Sequence, residues 1–129
     1  MQDTRKKIRI LVVDDDEILH RLLTISMERA GFETLKATNG LEAIQVLQQE
    51  EVDCILLDLM MPMMDGMRFL YWLREEEKKT TPVLVLTAME KKGMAEDILK
   101  AGADGIIYKP IDVQEIMKKL REIQLERSH

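Results

Sequence analysis

Four short apolar runs divide the chain: Ile8–Val13, Cys54–Leu57, Val83–Leu86 and Ile106–Tyr108. The middle two are almost unbroken, which is how strands covered on both faces of a parallel sheet read. A fifth segment, Phe32–Ala37, is interrupted by Glu33, Thr34 and Lys36 and suits an edge strand. Helical patterns fill the gaps. Ile18, Leu22, Ser26 and Leu19, Leu23, Met27 form two rows at i+4, with Gly31 as a stop. Asn39-Gly40-Leu41-Glu42 reads as an N-cap with an acidic residue at the third helical position, opening a helix through Ala43, Ile44 and Leu47. Asp65–Lys79 carries Phe69, Leu70 and Leu73 on one stripe, and Lys91–Ala101 predicts a shorter helix ending near Gly102. Asp112-Val113-Gln114-Glu115 repeats the capping pattern before a last helix with Ile116, Leu120 and Ile123.

Strand and helix thus alternate five times. Right-handed helical crossovers between parallel strands give an α/β fold: a doubly wound, flavodoxin-like, five-stranded parallel sheet with five helices on two faces. The edge-like second strand favours the order 2-1-3-4-5. The 129 residues suit one domain, with 1–7 as an N-terminal tail and 8–127 as the domain.

In open parallel sheets, ligands bind beyond the carboxyl ends of the strands. The residues that follow the apolar runs are therefore the candidates: Asp14-Asp15-Asp16, Asp58, Thr87-Ala88 and Lys109-Pro110. Clustered carboxylates repel one another and call for a compensating cation. Mg²⁺ takes oxygen ligands and is often held by one or two carboxylates plus waters. A lysine beside carboxylate and metal suits a phosphoryl group, whose oxygens need positive charge on several sides. A threonine hydroxyl can donate to one of them. Asp16 is better read as a helix N-cap.

The chain resembles the receiver domains of bacterial two-component response regulators, which include the single-domain chemotaxis regulators. The resemblance runs from Ile8 to about Leu125. It rests on Leu11-Val12-Val13-Asp14-Asp15, on Leu57 to Gly66 with Asp58, Pro62 and Asp65, on Leu86-Thr87-Ala88, on Gly102-Ala103-Asp104-Gly105, and on Lys109-Pro110. It implies a signalling phosphoacceptor rather than an enzyme, although one that assists its own phosphorylation and slow dephosphorylation. Asp58 would take the phosphoryl group from a phosphohistidine on a histidine kinase or phosphotransfer protein. Asp15, Asp58 and the backbone carbonyl of Met60 would bind Mg²⁺ directly, with Asp14 acting through water. Lys109 would pair with the phosphoryl group, Thr87 would move to contact it, and Lys109–Pro110 would be cis. Pro62 and Gly66 would shape the loop after Asp58. The output would be a downstream protein or a second copy, met on the face of the fourth helix, fifth strand and fifth helix.

Some positions depart from the family pattern. Ile106 stands where an aromatic residue is usual, and Tyr108, two residues on and on the same face, is expected to substitute as the surface reporter. Met60 and Met89 replace polar residues that help position water, which implies slow phosphoryl loss. The methionines at 60, 61, 63, 64 and 67 read as loop and packing residues rather than a soft-metal site. His20 reads as a partly exposed structural histidine, and Tyr71 and Trp72 as packing or contact residues.

Composition narrows the rest. A net charge of −5 does not favour direct nucleic-acid binding, and Arg5, Lys6, Lys7 and Arg9 are too few for a binding arm. Cys54 is the sole cysteine, expected as a small buried thiol. No apolar run approaches a membrane span and the first residues are polar, so a cytoplasmic protein is expected. Two other readings use parts of the same residue set. A phosphohydrolase of the haloacid-dehalogenase type needs an aspartate two residues after the nucleophile, where this chain has Met60. A phosphorylation-independent scaffold would usually have lost one of the acidic residues or the lysine, and all are present.

Overall fold

A computed structural model describes residues 7–59, 65–88 and 93–128, with residue 65 and residues 124–128 by backbone alone. Five strands alternate with five helices: β1 Arg9–Val13, α1 Glu17–Arg29, β2 Glu33–Ala37, α2 Gly40–Gln49, β3 Cys54–Asp58, α3 Asp65–Tyr71, β4 Val83–Thr87, α4 Met94–Lys100, β5 Gly105–Tyr108 and α5 Val113–Ser128. The strands form one parallel sheet in the order β2-β1-β3-β4-β5, as the run pattern predicts. β2 is an edge, and Glu33 and Lys36 are exposed on it.

Alternation along the strands builds two cores. Leu11, Val13, Ile55, Leu57, Val83 and Val85 face α2, α3 and α4 through Leu47, Phe69, Leu70, Leu73 and Ile98. Ile10, Val12, Leu56, Leu84 and Leu86 face α1 and α5 through Leu23, Met27, Ile116 and Leu120. Cys54 is buried in this second core. Truncating a fully buried leucine such as Leu56 to alanine costs about 2–5 kcal/mol.

The helix ends follow local chemistry. Asp16 caps α1, its Oδ1 accepting from the Ile18 and Leu19 N–H groups at 2.9 and 3.3 Å. Asn39 caps α2 by accepting from the Glu42 N–H at 2.8 Å. Gly31 and Gly102 take positive φ and close α1 and α4 with paired backbone bonds, Phe32 N–H to Met27 and Ala103 N–H to Ile98.

Three expectations need correction. His20 is buried rather than partly exposed. Its Nε2 lies 3.1 Å from the Val12 carbonyl and its Nδ1 3.3 Å from Thr24 Oγ1, which satisfies the ring inside the second core. Asp58 and Thr87 are the last residues of their strands rather than the first beyond them, because the ladder pairs Asp58 with Leu86 and Thr87 with Tyr108. The third helix does not run as one regular helix from Asp65 to Lys79. After Tyr71 it widens into a π-helical turn, Trp72–Glu76, with the Glu77 N–H reaching the Trp72 carbonyl at 2.9 Å. The wider turn leaves both Leu73 and its neighbour Arg74 facing inward. The start of the predicted Lys91–Ala101 helix lies outside the described residues, and α4 begins at Met94.

The chain leaves the π turn through Lys78, a non-glycine residue with φ +54°. That conformation costs an L-residue about 1–2 kcal/mol, and glycine avoids the cost. Lys78→Gly is therefore expected to stabilise the fold by about 0.5–1 kcal/mol, net of glycine's larger unfolded-state entropy. Urea unfolding measures it, and a lower midpoint would contradict the account.

Candidate functional site

Parallel register brings the chemistry together. Val13 pairs with Leu57, and the next residue after each is an aspartate, Asp14 and Asp58. Both side chains are buried, while Asp15 is exposed beside them. One carboxylate oxygen from each of Asp14, Asp15 and Asp58 falls within 4.8 Å of the others. Lys109 follows β5 and reaches across to place Nζ 3.2 Å from both oxygens of Asp58. Its own N–H donates to the Thr87 carbonyl at 2.9 Å, so lysine and threonine are tied through the backbone. Thr87 is fully buried. The Lys109–Pro110 bond is cis.

Asp14 carries the electrostatic strain. Its Oδ1 accepts from the Asp16 N–H at 2.8 Å, but its Oδ2 is buried with no hydrogen-bond partner among the described residues. Burial pushes its carboxyl from 3.8 up to about 7; the Asp16 N–H opposes this, contact with Asp58 and its charge add to it, and the Lys109 charge pulls it down. An orphaned buried carboxylate oxygen beside two more carboxylates fits a hard divalent cation such as Mg²⁺, whose charge and oxygen preference answer that deficit.

Gly66 also contributes to the geometry. A Cβ on it would meet Leu59 Cδ2 at 2.8 Å and the Asp58 carbonyl at 3.3 Å, so its bare backbone lets α3 lie close behind Asp58. The Met60 carbonyl, Pro62 and Met89, assigned to the site by resemblance, lie outside the described residues. Tyr108 is exposed, while Ile106 on the same face of β5 is half-buried against the first core.

The sequence matches the response regulator receiver domain family over residues 10–121. The chain belongs to that family. This receiver domain is 39% identical over 114 residues to the transcriptional regulatory protein SrrA of Staphylococcus aureus, an alignment covering 88% of this chain and 46% of that protein. It spans about half the length of the curated relatives it matches. Among solved structures it resembles the receiver domain of Francisella response regulator 1452 with a TM-score of 0.86 and 30% identity, covering 95% of this chain and all of that one. It resembles the Vibrio cholerae chemotaxis protein CheY4 with a TM-score of 0.83 and 29% identity, covering 90% and 98% of the two chains. The fold and the family expected from the sequence are therefore both found. Among the described residues, no helix is long and apolar enough to cross a membrane.

One candidate surface escaped the sequence reading. Of the two apolar rows on α1, Leu23 and Met27 are buried, but Ile18 is 83% exposed and Leu22 and Ile25 are 47% exposed. The exposed row begins within a turn of the receiver domain's acidic edge. Its signal in the sequence was the spread of apolar positions around more of the helix than one core-facing stripe needs.

The strain on Asp14 has a defined pH signature. Its folded value lies above the unfolded 3.8, so the fold binds that proton more tightly. The destabilisation from ionised Asp14 is absent below about 3.8, grows as pH rises, and is complete above about 7. Asp14→Asn should therefore raise the unfolding free energy at pH 8 in chelator by on the order of 1–4 kcal/mol, and much less at pH 4. Thermal unfolding at both pH values checks this, and an equal gain at both would contradict it.

Proposed function

We propose that the chain is a phosphoacceptor signalling domain in which Asp58 accepts a phosphoryl group from a phosphohistidine of a histidine kinase or phosphotransfer protein, in a Mg²⁺-dependent reaction. The observation that carries this reading is the Asp58 carboxylate, buried yet held at 3.2 Å by Lys109 through both oxygens, in the cluster with Asp14 and Asp15. Asp15, Asp58 and the Met60 carbonyl would hold the metal directly, with Asp14 through water. When bound, Mg²⁺ supplies positive charge to the phosphoryl oxygens and offsets the three carboxylates.

An Asp58 oxygen attacks phosphorus in line. The new P–O bond forms as the P–N bond to imidazole breaks, and the histidine leaves with the bonding electron pair. Lys109 stabilises charge developing on the transferred group. The Thr87 hydroxyl then donates to a phosphoryl oxygen, moving from its buried position. Thr87 pairs with Tyr108 across β4 and β5, which offers a short route from the site to a surface aromatic. Shifted populations of these two side chains would present the face of α4, β5 and α5, where Leu99 and Tyr108 are exposed, to a downstream protein or a second copy. The exposed Ile18, Leu22 and Ile25 row suits an apolar helix of the phosphodonor. The acyl phosphate hydrolyses slowly, so the domain resets and works as a switch rather than a turnover enzyme.

The test is intact mass after incubation with acetyl phosphate, with and without Mg²⁺, for the wild type and Asp58→Ala. The expected result is a gain of one phosphoryl group that needs both Mg²⁺ and Asp58. No gain under any condition would overturn the reading and leave a phosphorylation-independent scaffold.

A further inference from the structure

Arg74 projects from the π-helical turn at the opposite end of the sheet from the acidic cluster. Its Nε donates to the Gly102 carbonyl at 2.9 Å and one terminal nitrogen to the Lys79 carbonyl at 2.9 Å. The other terminal nitrogen meets Asp104 Oδ2 at 3.1 Å. The side chain is only 15% exposed. Gly102 makes room for it: a Cβ there would lie 2.6 Å from Arg74 Cγ. The same Asp104 oxygen accepts from the Val83 N–H at 2.8 Å, and the Asp104 N–H donates back to the Val83 carbonyl at 2.8 Å. Val83 opens β4 and Asp104 immediately precedes β5. Arg74 therefore grips the point where the β4–β5 pair begins.

The other end of that pair holds the site. The register runs from Leu84 opposite Gly105 to Thr87 opposite Tyr108, and the Lys109 N–H then bonds the Thr87 carbonyl. β5 is an edge strand of four residues, paired with β4 alone, and starts on a glycine. Buried Ile107 and the ladder to β4 favour one register, and the Arg74 and Asp104 contacts fix where it starts; a slip of one residue would exchange the two faces of β5 and withdraw Lys109 from Asp58.

A second arginine provides the contrast. Asp53 precedes β3 and bonds the first residue of β1 in the same reciprocal way, accepting from the Arg9 N–H and donating to the Arg9 carbonyl, both at 2.8 Å. Arg9 adds an ion pair with Glu50 at 2.8 Å. But β1 is held on both sides, by β2 and β3, so its register survives without those pairs.

We infer that Arg74 is a positioning residue for Lys109: its hold on Gly102 and Asp104 sets the β4–β5 register and so the approach of Lys109 to Asp58. This rests on the phosphoacceptor reading above for its functional consequence, but not for the geometry.

The experiment compares Arg74→Gln, Arg74→Lys and Asp104→Asn with Arg9→Gln, at a temperature where circular dichroism shows each variant folded. Amide ¹H–¹⁵N resonances of Thr87, Tyr108 and Lys109 are recorded on the unphosphorylated protein, and the rate of Mg²⁺-dependent phosphoryl uptake from acetyl phosphate is measured. Arg74→Gln should move the Lys109 and Thr87 resonances and slow uptake about tenfold, the scale expected of a small misplacement of a reacting group. Arg74→Lys should recover part of both. Arg9→Gln should lower the thermal midpoint and change neither. If Arg74→Gln does not fold, Asp104→Asn carries the comparison, because it keeps an acceptor for the Val83 N–H while removing the charge. Resonance changes confined to the neighbourhood of Arg74, with uptake at the wild-type rate, would overturn the inference. So would equal slowing by Arg9→Gln, which would mark a general stability effect. If the wild type takes up no phosphoryl group, the phosphoacceptor reading fails by itself, and the Lys109 resonance still decides the positioning.

Discussion

Val13 and Leu57 pair on neighbouring parallel strands, and the residue after each is a buried aspartate: this repulsion between Asp14 and Asp58 is the constraint around which the molecule is arranged. Two like charges about 4 Å apart repel by roughly 4 kcal/mol at the effective dielectric of a protein edge. Asp15 adds a third carboxylate. Lys109 answers one of them, approaching Asp58 from two strands away across β4. Asp14 is left with a buried oxygen that no described residue satisfies. A site so built is short of positive charge, and it stabilises whatever supplies that charge.

The rest of the fold keeps that arrangement from relaxing. Leu11, Val13, Ile55 and Leu57 on one face and Ile10, Val12 and Leu56 on the other are all buried, which resists sliding of either strand that would separate Asp14 from Asp58. The site lies where β1 and β3 adjoin, the place at which the chain reverses its direction of travel across the sheet. Gly66 brings α3 against the backbone of Asp58. Arg74, at the far end of the same helical segment, holds the start of β5. One helical segment thus touches both Asp58 and the strand that delivers its counter-charge.

The strands, their order and the residues at their ends were legible in the sequence, because unbroken apolar runs and the residues after them need no knowledge of packing. Asp14, Asp15, Asp58 and Lys109 lie together beyond those runs, with Thr87 tied to Lys109 through its backbone carbonyl. What was not legible depends on packing. A 3.6-residue period carries no trace of the extra residue that widens Trp72–Glu76, so nothing in the sequence singles out Arg74. His20 is buried with its ring satisfied by Thr24 on its own helix and by the Val12 carbonyl of β1, and a partner supplied by another segment does not show in a local pattern. Both i+4 rows of α1 carry large apolar residues, and only the packed helix shows that Ile18 and Leu22 face outward.

The acidic edge is a cation-deficient site made of Asp14, Asp15 and Asp58, with Lys109 holding Asp58. Its most direct test is the thermal midpoint of the unphosphorylated domain as Mg²⁺ is added at pH 8, for the wild type and Asp58→Asn. A saturable rise is expected in the wild type, following ligand linkage, and a much smaller rise in the variant. No rise in the wild type, or an equal rise in both, would contradict it.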